Sequence, residues 1–378
     1  MIYFDNSATT KPLDEVVVAM TKALTTDFGN PSSLYSLGLD AEKIIKSSRA
    51  EIAKSISASP EEIFFTSCGT ESDNTAVFGV WNSRKKLGNR IICSAVEHPA
   101  VLRCFEKLEN EGADVVYIPV HKDGSLDYDA FLDAINDDTI LVSIMHVNNE
   151  SGAIFPIEDI AKEVRKHKNC ILHSDCVQSY GKLPIDVHKL GADMISLSAH
   201  KIHGPKGIGA LYIKNGLHIP SFIYGGGQES SFRSGTENVA CIAGFGSAAK
   251  NLTMVKPGVK DYLRSRLIEE IDDIKINTPE ASAPSVLNVS FLGTRAEVIL
   301  HMLEDKGIYV STGSACSSKK KGSHVLSAMG LSDQEMEGAI RFSFGFDNTN
   351  EEADTVVEEL KSIVSRQRLL QKAMHSKK

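Results

Sequence analysis

Short apolar runs alternate with amphipathic stretches through the first two-thirds of the chain, and this alternation limits the fold more than any other feature. Strands separated by helical segments form mostly parallel sheets that are covered by helices on both faces. The runs predicted as strands are Ile63–Thr66, Arg90–Ser94, Val115–Pro119, Ile140–His146, Ile171–Ser174, Met194–Ser198 and Ala210–Ile213. The helices predicted between them are Ser72–Lys86, Ala100–Glu111 and Ile157–Lys168. The expected fold class is α/β, with ligands beyond the carboxyl ends of the strands.

The pattern changes near residues 250–260, which indicates a second, smaller α+β domain. Its predicted elements are a helix over Asp261–Asp272, a strand over Ser285–Phe291, a helix over Ala296–Lys306, a strand over Ile340–Ser343 and a charged terminal helix from about Glu351. The domain assignment gives residues 15–253 to the large domain. Residues 1–14 and 254–378 then form the small domain.

Charge and hydropathy exclude several classes of protein. A formal charge of -8 over 378 residues provides no general attraction to nucleic acid or anionic lipid. No apolar run approaches the roughly 18 residues of a membrane span, and the N-terminus lacks the layout of a signal peptide. A cytoplasmic protein is expected. The seven cysteines include no CxxC pair, so neither a disulfide framework nor a metal site is expected.

Lys201 lies in the most informative segment, SLSAHKIHGPKGIGALYIK, where an apolar strand ends in Ser198, Ala199 and His200. A lysine at the carboxyl end of a strand suits covalent attachment to an aldehyde cofactor. Its amine must be neutral to react, and a partly desolvated site favours the neutral form. The alternative is a surface lysine in a turn, and this segment alone favours that alternative.

Asp175 ends the strand in HSDCVQ, where an unpaired buried carboxylate would be costly. Pyridoxal 5′-phosphate (PLP) would supply a partner, because its protonated ring nitrogen needs an anion to remain an electron sink. Gln178 could donate to the phenolic oxygen of the ring. The alternative is an aspartate that caps a helix N-terminus, and this segment alone does not separate the two interpretations.

The segment FFTSCGTESDN passes from a strand through Gly69 and Thr70 into a predicted helix. Free N–H groups at such a helix start, together with the Thr70 hydroxyl, attract anions such as a phosphate. Many helices begin in a similar way without a ligand, so the pattern carries weight only in combination with the two preceding segments.

Taken together, the motifs resemble those of the cysteine desulfurases, which are PLP enzymes of the class V aminotransferase group. The segments that carry the resemblance are DNSATT, GTESDN, VEHPAV, MHVNNESG, SDCVQSYGKLPID, SLSAHKIHGPKG, GGGQESSFRSGTEN, STGSACSS and IRFSFG. They extend from Asp5 to Gly345, nearly the whole chain. The resemblance implies the PLP-dependent transferase fold type I, with a mostly parallel seven-stranded sheet and a smaller α+β C-terminal domain.

The resemblance also assigns roles to residues of this sequence. Lys201 matches the attachment lysine, Asp175 the partner of the ring nitrogen, and Gln178 the contact to the ring oxygen. The other implied cofactor contacts are Asn149 near the substrate, the phosphate ligands Gly69, Thr70, Ser198 and His200, and His98, which stacks on the ring and transfers protons. Arg341 matches the arginine that binds the carboxylate of the substrate, L-cysteine.

Cys316 and Thr236 extend the implied site. Cys316, in a segment rich in small and polar residues, matches the nucleophile that accepts sulfur as a persulfide; the alternative is an incidental exposed thiol. Thr236 matches a phosphate ligand supplied by the partner subunit, which implies a homodimer. Lys319–Lys321 could favour the thiolate and guide an acidic acceptor, or could simply keep the segment solvated.

Other activities fit the same pattern. Selenocysteine lyase and class V aminotransferase activities occur on this fold, and a silent scaffold that binds a sulfur-transfer partner is a third possibility. The implied sulfur acceptors are iron–sulfur scaffold proteins or tRNA-thiolation enzymes, and the sequence does not choose between them. Four residues differ from the commonest family pattern, namely Tyr35, Cys176, His203 and Tyr224.

Overall fold

The computed structural model describes residues 1–255, 258–312 and 322–375. The described strands are β1 (Ile2–Tyr3), β2 (Ile63–Thr66), β3 (Arg90–Ser94), β4 (Asp114–Ile118), β5 (Thr139–Ser143), β6 (Ile171–Asp175), β7 (Met194–Ser198), β8 (Gly209–Ile213), β9 (Ile274–Ile276), β10 (Val286–Phe291), β11 (Ile308–Tyr309) and β12 (Ala339–Ser343). The α-helices are α1 (Asp14–Thr25), α2 (Ser36–Ser55), α3 (Gly69–Arg84), α4 (Pro99–Asn110), α5 (Tyr128–Ala134), α6 (Ile157–Val164), α7 (Val187–Leu190), α8 (Val239–Lys250), α9 (Gly258–Glu270), α10 (Ala296–Glu304), α11 (His324–Ala328), α12 (Asp333–Glu337) and α13 (Asn350–His375).

The seven predicted strands of the first two-thirds form one sheet in the order β2-β8-β7-β6-β5-β3-β4. The pairs among β3, β4, β5, β6 and β7 are parallel, which confirms the predicted α/β class and the mostly parallel sheet. Strand β8 is the exception, because it pairs antiparallel with both β2 and β7. The chain turns back directly after β7 without a crossover helix, and Ser198 therefore pairs with Gly209.

Several predicted boundaries differ from the observed ones by one to four residues; helix α3, for example, begins at Gly69 rather than Ser72. Strand β5 ends at Ser143 rather than His146, although the N–H groups of Ile144 and His146 still donate to β6 carbonyls outside the regular ladder. Helix α6 ends at Val164 rather than Lys168, because the chain continues through tighter turn hydrogen bonds from Lys166 to Glu163.

The C-terminal third has its own sheet and its own apolar core. Strands β12, β10 and β9 form an antiparallel sheet in that order. Buried side chains from α9, α10 and α13 pack against it. The first strand belongs to this region as well, since Ile2 pairs with Ile308 and Phe4 lies in the same core. The predicted division at residues 14 and 253 stays a prediction.

The central strands are buried on both faces, as their continuous apolar runs predict. The carboxyl ends of β2, β3, β5, β6 and β7 meet at one edge of the sheet. Strand β2 shares this direction because β8, which lies between β2 and β7, is antiparallel to both of them. In the described ranges, no helix combines the length and the apolar character needed to cross a membrane.

Candidate active site

Three strand ends bring the predicted cofactor residues to the same edge of the sheet. Strand β6 ends at Asp175, and β7 ends at Ser198, directly before a 3₁₀ turn over Ala199–Lys201. Strand β2 leads through a short connection into α3, whose first residue is Gly69. These residues therefore lie where the sequence predicted them, beyond the carboxyl ends of the strands, because parallel strands end at the same edge of a sheet.

The side chain of Lys201 reaches the N-terminal segment of the chain. Its Nζ donates to the main-chain oxygens of Ser7 and Ala8, the second at 2.9 Å. Gln178 Nε2 donates to the same Ser7 oxygen at 3.0 Å. The main chain of Thr10 in turn donates to the carbonyl of His200 at 2.9 Å. The segment that begins with DNSATT thus forms one wall around the Lys201 amine.

Asp175 is a buried carboxylate at the centre of the site. Its Oδ1 accepts from the Val177 N–H at 2.9 Å. Burial raises the pKa of Asp175, while His98, the Val177 N–H and Lys201 act in the opposite direction. A cation placed beside this carboxylate would offset the cost of its burial, and the protonated nitrogen of a pyridine ring would be such a cation.

His98 is the N-cap of helix α4, and Pro99 occupies the first helical position. Its Nδ1 accepts from the Ala100 N–H at 3.2 Å, which leaves Nε2 to carry the proton of the neutral ring. Burial lowers the pKa of His98 although Asp175 raises it. A neutral imidazole so oriented can pass a proton through Nε2.

The site contains buried polar atoms without protein partners. Ser198 Oγ and Gln178 Oε1 are both buried, and neither has a hydrogen-bond partner among the described residues. A Cβ at Gly69 would lie 2.9 Å from Val177 Cγ2, so only glycine keeps the start of α3 open. A phosphate at the α3 N-terminus would meet the Ser198 hydroxyl and free N–H groups. The residues therefore fit a cofactor that carries a phosphate and a ring oxygen.

Thr70 and His200 lie beside this predicted phosphate position. Thr70 is exposed, at the second residue of α3. His200 Nδ1 lies 3.2 Å from Thr9 Oγ1, and burial followed by the charge of Lys201 lowers its pKa to about 4. A groove of about 720 Å³ opens next to them, bordered by Thr70 and His98 and lined further by Asn74, Phe78 and Phe222.

Thr236 is separate from this group. It is exposed, and within residues 1–255, 258–312 and 322–375 it makes no hydrogen bond to the predicted phosphate ligands of its own chain. The segment before it is fixed to helices α2 and α3. Arg49 donates to both carboxylate oxygens of Glu229 at 2.8 and 2.7 Å, and Arg233 Nε donates to Glu71 at 2.9 Å.

Arg341 lies on β12, opposite the strand ends of the large sheet. Its Nη1 donates to the main-chain oxygen of Asn149 at 3.1 Å, and its Nη2 donates to Asp5 at 2.8 Å. The buried Nε has no partner among the described residues. Asn149 contributes its main chain to this contact, whereas the sequence predicted a cofactor contact for it. These contacts use two of the five N–H donors of Arg341, which holds the guanidinium in place and leaves donors for a ligand carboxylate.

Cys316 and Lys319–Lys321 lie outside the described residues, so their predicted roles are retained as predictions. The described residues on either side of residues 313–321 contact the site. Ser311 pairs with the main chain of Arg341. On the far side, Ser323 Oγ donates to Glu150, next to Asn149, and His324 Nε2 lies 3.0 Å from the carbonyl of Glu97, next to His98.

Two buried acids at this edge were missed by the sequence analysis. Glu97 Oε1 accepts from Ser94 Oγ at 2.6 Å and from the Met145 N–H at 2.9 Å, and burial raises its pKa to about 8. Asp73 on α3 lies 3.7 Å from His173, and burial and the charge of Asp175 raise its pKa. The sequence signal was weak, because acids in helix starts are usually caps.

Three of the four departures from the family pattern lie on exposed or half-buried positions. Tyr35 and Tyr224 are exposed, and Tyr35 precedes helix α2. His203 is half-buried, has a φ of 63°, and its Nδ1 lies 2.9 Å from the carbonyl of Lys11. Cys176 is fully buried. The six described cysteines are free, and no group of three metal-ligating side chains was found in the described part of the chain.

Comparison with known proteins places this site in a family. Residues 2–356 match the model of the aminotransferase class-V family. The cysteine desulfurase IscS of Clostridium botulinum is 43% identical, over 97% of this chain and 95% of the relative. The cysteine desulfurase IscS of Methanosarcina thermophila is 44% identical, over 97% of this chain and 93% of the relative.

Solved structures show the same similarity. A NifS-like protein superposes with a TM-score of 0.89 at 39% identity, covering 96% of this chain and 99% of the other. The complex of SspA with cysteine superposes with a TM-score of 0.83 at 34% identity, covering 91% and 99%. The similarity extends over both the large sheet and the C-terminal third.

Proposed function

The chain belongs to the NifS/IscS-like cysteine desulfurases of the class-V aminotransferase family, PLP enzymes of fold type I, and we propose that it transfers the sulfur of L-cysteine to its own Cys316. The products are L-alanine and a Cys316 persulfide. A bond forms between the Cys316 sulfur and the substrate sulfur, and the bond from that sulfur to the β-carbon breaks. No external oxidant or reductant is needed.

The residues that would hold PLP surround the strand ends described above. Lys201 is the proposed attachment residue, Asp175 the partner of the ring nitrogen and Gln178 the donor to the ring oxygen. The proposed phosphate ligands are Gly69, Thr70, Ser198 and His200, with His98 against the ring and Asn149 near the substrate. When bound, PLP supplies an electron sink that makes the α-proton of an amino acid removable.

The protein residues have distinct tasks in the proposed reaction. Arg341 holds the carboxylate of L-cysteine, since two of its N–H donors fix the guanidinium on Asn149 and Asp5 and the others can donate to a ligand. The amine of Lys201 takes the α-proton, and His98 moves protons through Nε2. Cys316 attacks the sulfur as a thiolate. Holding the amine and the thiol around one substrate accounts for most of the expected rate gain.

The observation that best supports the role of Cys316 is the position of the chain on both sides of residues 313–321. Ser311 is paired with Arg341, and His324 is bonded to the carbonyl next to His98. The described residues on both sides of residues 313–321 therefore contact the residue assigned to substrate binding or the neighbour of the residue assigned to proton transfer. An aminotransferase would not require a thiol here, so this placement favours a desulfurase.

Replacement of the thiol tests this proposal. We expect Cys316→Ala to lower alanine release from L-cysteine by about 10³-fold or more, with the absorption band of bound PLP unchanged. Cys241→Ala, at a half-buried free thiol of α8, is the matched control and should retain activity. Mass spectrometry should find one added sulfur atom on Cys316. Full alanine release by Cys316→Ala would favour an aminotransferase, and faster turnover of selenocysteine than of cysteine would favour a lyase.

A silent scaffold makes the opposite prediction. Such a protein would not retain PLP during purification and would lack its visible absorption band. Purified protein that shows the band, and loses it in Lys201→Ala, would contradict the scaffold interpretation.

We propose a homodimer in which Thr236 completes the phosphate site of the partner subunit. Large apolar side chains are exposed on α1, α2 and the connection between them, namely Val17, Val18, Leu24, Phe28, Leu34, Leu37 and Leu39. Such a concentration is typical of surfaces that bind another protein. Thr236 itself is exposed, as a residue must be to contact a second chain.

Mixed dimers test the shared site. Lys201→Ala and Thr236→Ala homodimers should each have low activity, the second because of weak PLP binding. A mixed dimer contains one site with Lys201 intact and with Thr236 supplied by the other subunit. We therefore expect about half of the wild-type activity per mixed dimer after subunit exchange. Failure to recover activity, or a monomer in light scattering, would contradict the arrangement.

We propose a cytoplasmic enzyme whose persulfide passes to an iron–sulfur scaffold protein or to a tRNA-thiolation enzyme. Transfer of radiolabelled sulfur from the persulfide form to each purified acceptor class would distinguish the two. Transfer to neither would indicate a different acceptor.

A further inference from the structure

Lys182 is a second lysine beside the turn that carries Lys201, and the reaction proposed above does not use it. It lies in the turn after β6, where its N–H donates to the Ser179 carbonyl at 2.9 Å. The residue is only 6% exposed. Its Nζ donates to the main-chain oxygen of Lys201. This contact joins the turn that follows Asp175 to the turn that contains Lys201.

The surroundings of Lys182 are poor in water and in acids. A cavity of about 10 Å³ adjoins it, lined among others by Ile202 and Phe344. This volume is at the lower limit for a single water molecule. In the described ranges no carboxylate forms an ion pair with Lys182. Burial, followed by the charge of Lys201, lowers the pKa of Lys182 to about 7.

The titratable groups that face Lys182 are Lys201, His200 and His203. Lys182 lowers the pKa of both histidines, and Lys206 contributes to the effect on His200. Two acids act on this group: Asp347 raises the pKa of His203, and Asp175 interacts with the charge of Lys201. Lys182 is buried and Lys201 is partly exposed, and their like charges make it costly for both amines to be protonated at once near neutral pH.

We propose that Lys182 is a positioning residue for Lys201: it holds the main chain of Lys201 through a hydrogen bond to the Lys201 carbonyl and, while Lys182 is protonated, its charge favours the uncharged Lys201 amine. The inference rests on the attachment role proposed for Lys201. The hydrogen bond fixes the direction from which the Lys201 side chain leaves the turn. The like charge nearby makes protonation of the second amine less favourable, and only an uncharged amine reacts with an aldehyde or takes a proton.

Three variants test the two parts of this role. Lys182→Met keeps the apolar stem but has neither charge nor donor, and Lys182→Gln keeps a donor without charge. Lys206→Met is the control, because it removes one charge from an exposed lysine near the same turn. The readouts are the pH midpoint of the visible absorption band of bound PLP and the rate at which the apo-protein is reloaded with PLP at several pH values.

We expect Lys182→Met and Lys182→Gln to raise the midpoint by about one pH unit, because a nearby positive charge is lost. Reloading of the apo-protein should also slow, about tenfold for each unit by which the pKa of the free Lys201 amine rises, since the neutral fraction of that amine falls in proportion. Lys206→Met should leave the midpoint within about 0.2 units, because exposed charges are screened.

An unchanged midpoint in a folded Lys182→Gln protein, or an equal shift in Lys206→Met, would overturn the proposal. If Lys182→Met does not fold, Lys182→Gln carries the test, and Lys182→Arg should restore the wild-type midpoint. Borohydride reduction followed by peptide mass spectrometry is done first. A cofactor attached elsewhere than Lys201 would refute the proposed attachment site, whereas correct attachment with an unmoved midpoint refutes only the role of Lys182.

Discussion

Arg341 Nη2 donates to Asp5 Oδ1 at 2.8 Å, although the two residues belong to opposite ends of the chain. The same guanidinium donates to the carbonyl of Asn149. An arginine that is held by an acid and by a main-chain oxygen has already lost much of its side-chain freedom. Binding a substrate carboxylate then costs little further entropy.

Arg341→Lys should raise the KM for L-cysteine by about 10- to 100-fold, because a lysine lacks the planar fork and loses a charge-assisted hydrogen bond. Steady-state kinetics with saturating PLP would measure the effect. Arg368→Lys is the control, since the hydrogen bonds that Arg368 makes within the described residues all go to main-chain oxygens, those of Leu292, Asp272 and Asp273. An unchanged KM in Arg341→Lys would remove Arg341 from the binding site.

The pair of Arg49 with Glu229 should contribute strongly to stability. Both carboxylate oxygens accept from Arg49, and Oε2 also accepts from the Phe65 N–H at 2.8 Å. Arg49→Met leaves the Glu229 carboxylate buried without its cation, and we expect a loss of about 3 kcal/mol in the free energy of unfolding. Urea denaturation measures it.

The control for that pair is Lys43→Met. Lys43 donates to Asp40 at 2.8 Å on the exposed face of α2, so its loss should leave the free energy of unfolding almost unchanged. Equal losses in Arg49→Met and Lys43→Met would show that burial of the first pair has no energetic consequence.

Ser231 has a φ of 66°, in the left-handed region that disfavours side chains other than glycine. Ser231→Gly should therefore stabilise the protein by about 1 kcal/mol, the strain relieved being partly offset by the greater freedom of glycine in the unfolded chain. Ser47→Gly, on the exposed face of α2, should destabilise it by about 0.5 kcal/mol. Thermal and urea unfolding of both variants would check the opposite signs.

Glu97 should make stability depend on pH. Its pKa in the folded protein is about 8, above the ordinary value of 4.5, so folding favours the protonated acid. That contribution is fully present below the unfolded pKa and is lost as the pH rises through 8. Because glutamine cannot ionise, Glu97→Gln should gain stability relative to the wild type between about pH 5 and about pH 9.

Glu335→Gln gives the contrasting case. The Lys275 ammonium first, and then hydrogen bonds from Ser332, lower the pKa of Glu335 to about 2. Its contribution is present above the unfolded pKa and is lost only as the pH falls through 2. The stability difference of Glu335→Gln from the wild type should therefore be constant between about pH 5 and about pH 9. Urea unfolding at several pH values compares the two variants.

The sequence predicted the large sheet well because its strands are buried on both faces and leave an uninterrupted apolar signal. Arg90–Ser94 and Met194–Ser198 were predicted with their observed bounds. The ends of the same runs drew attention to Lys201 and Asp175, but the apolar signal alone did not decide their roles, which the family resemblance implied. The antiparallel direction of β8 was not predicted. The residue pattern of the connection from β7 to β8 does not show whether it is a turn or a crossover, because these differ more in length than in residue type.

The wall formed by Ser7 and Ala8 could not be predicted in the same way. Lys201 contacts their main-chain oxygens, and every residue has such an oxygen, so residue type provides no signal. The role of Lys182 is hidden for the same reason, because its partner is a carbonyl. Contacts between segments nearly two hundred residues apart depend on the assembled fold rather than on local pattern. The domain division and the role of Cys316 remain predictions.

The pairing of Ile2 with Ile308 has a consequence for synthesis. The first strand leaves the ribosome long before its partner strand is synthesised. The ion pair of Asp5 likewise cannot form until Arg341 has been synthesised. The large sheet is complete once Ile213 has emerged, so it can fold while the amino-terminal residues are still unpaired. A purification handle fused ahead of Met1 would therefore hinder the late docking of β1. The affected residues would include Asp5, which orients the arginine assigned to the substrate.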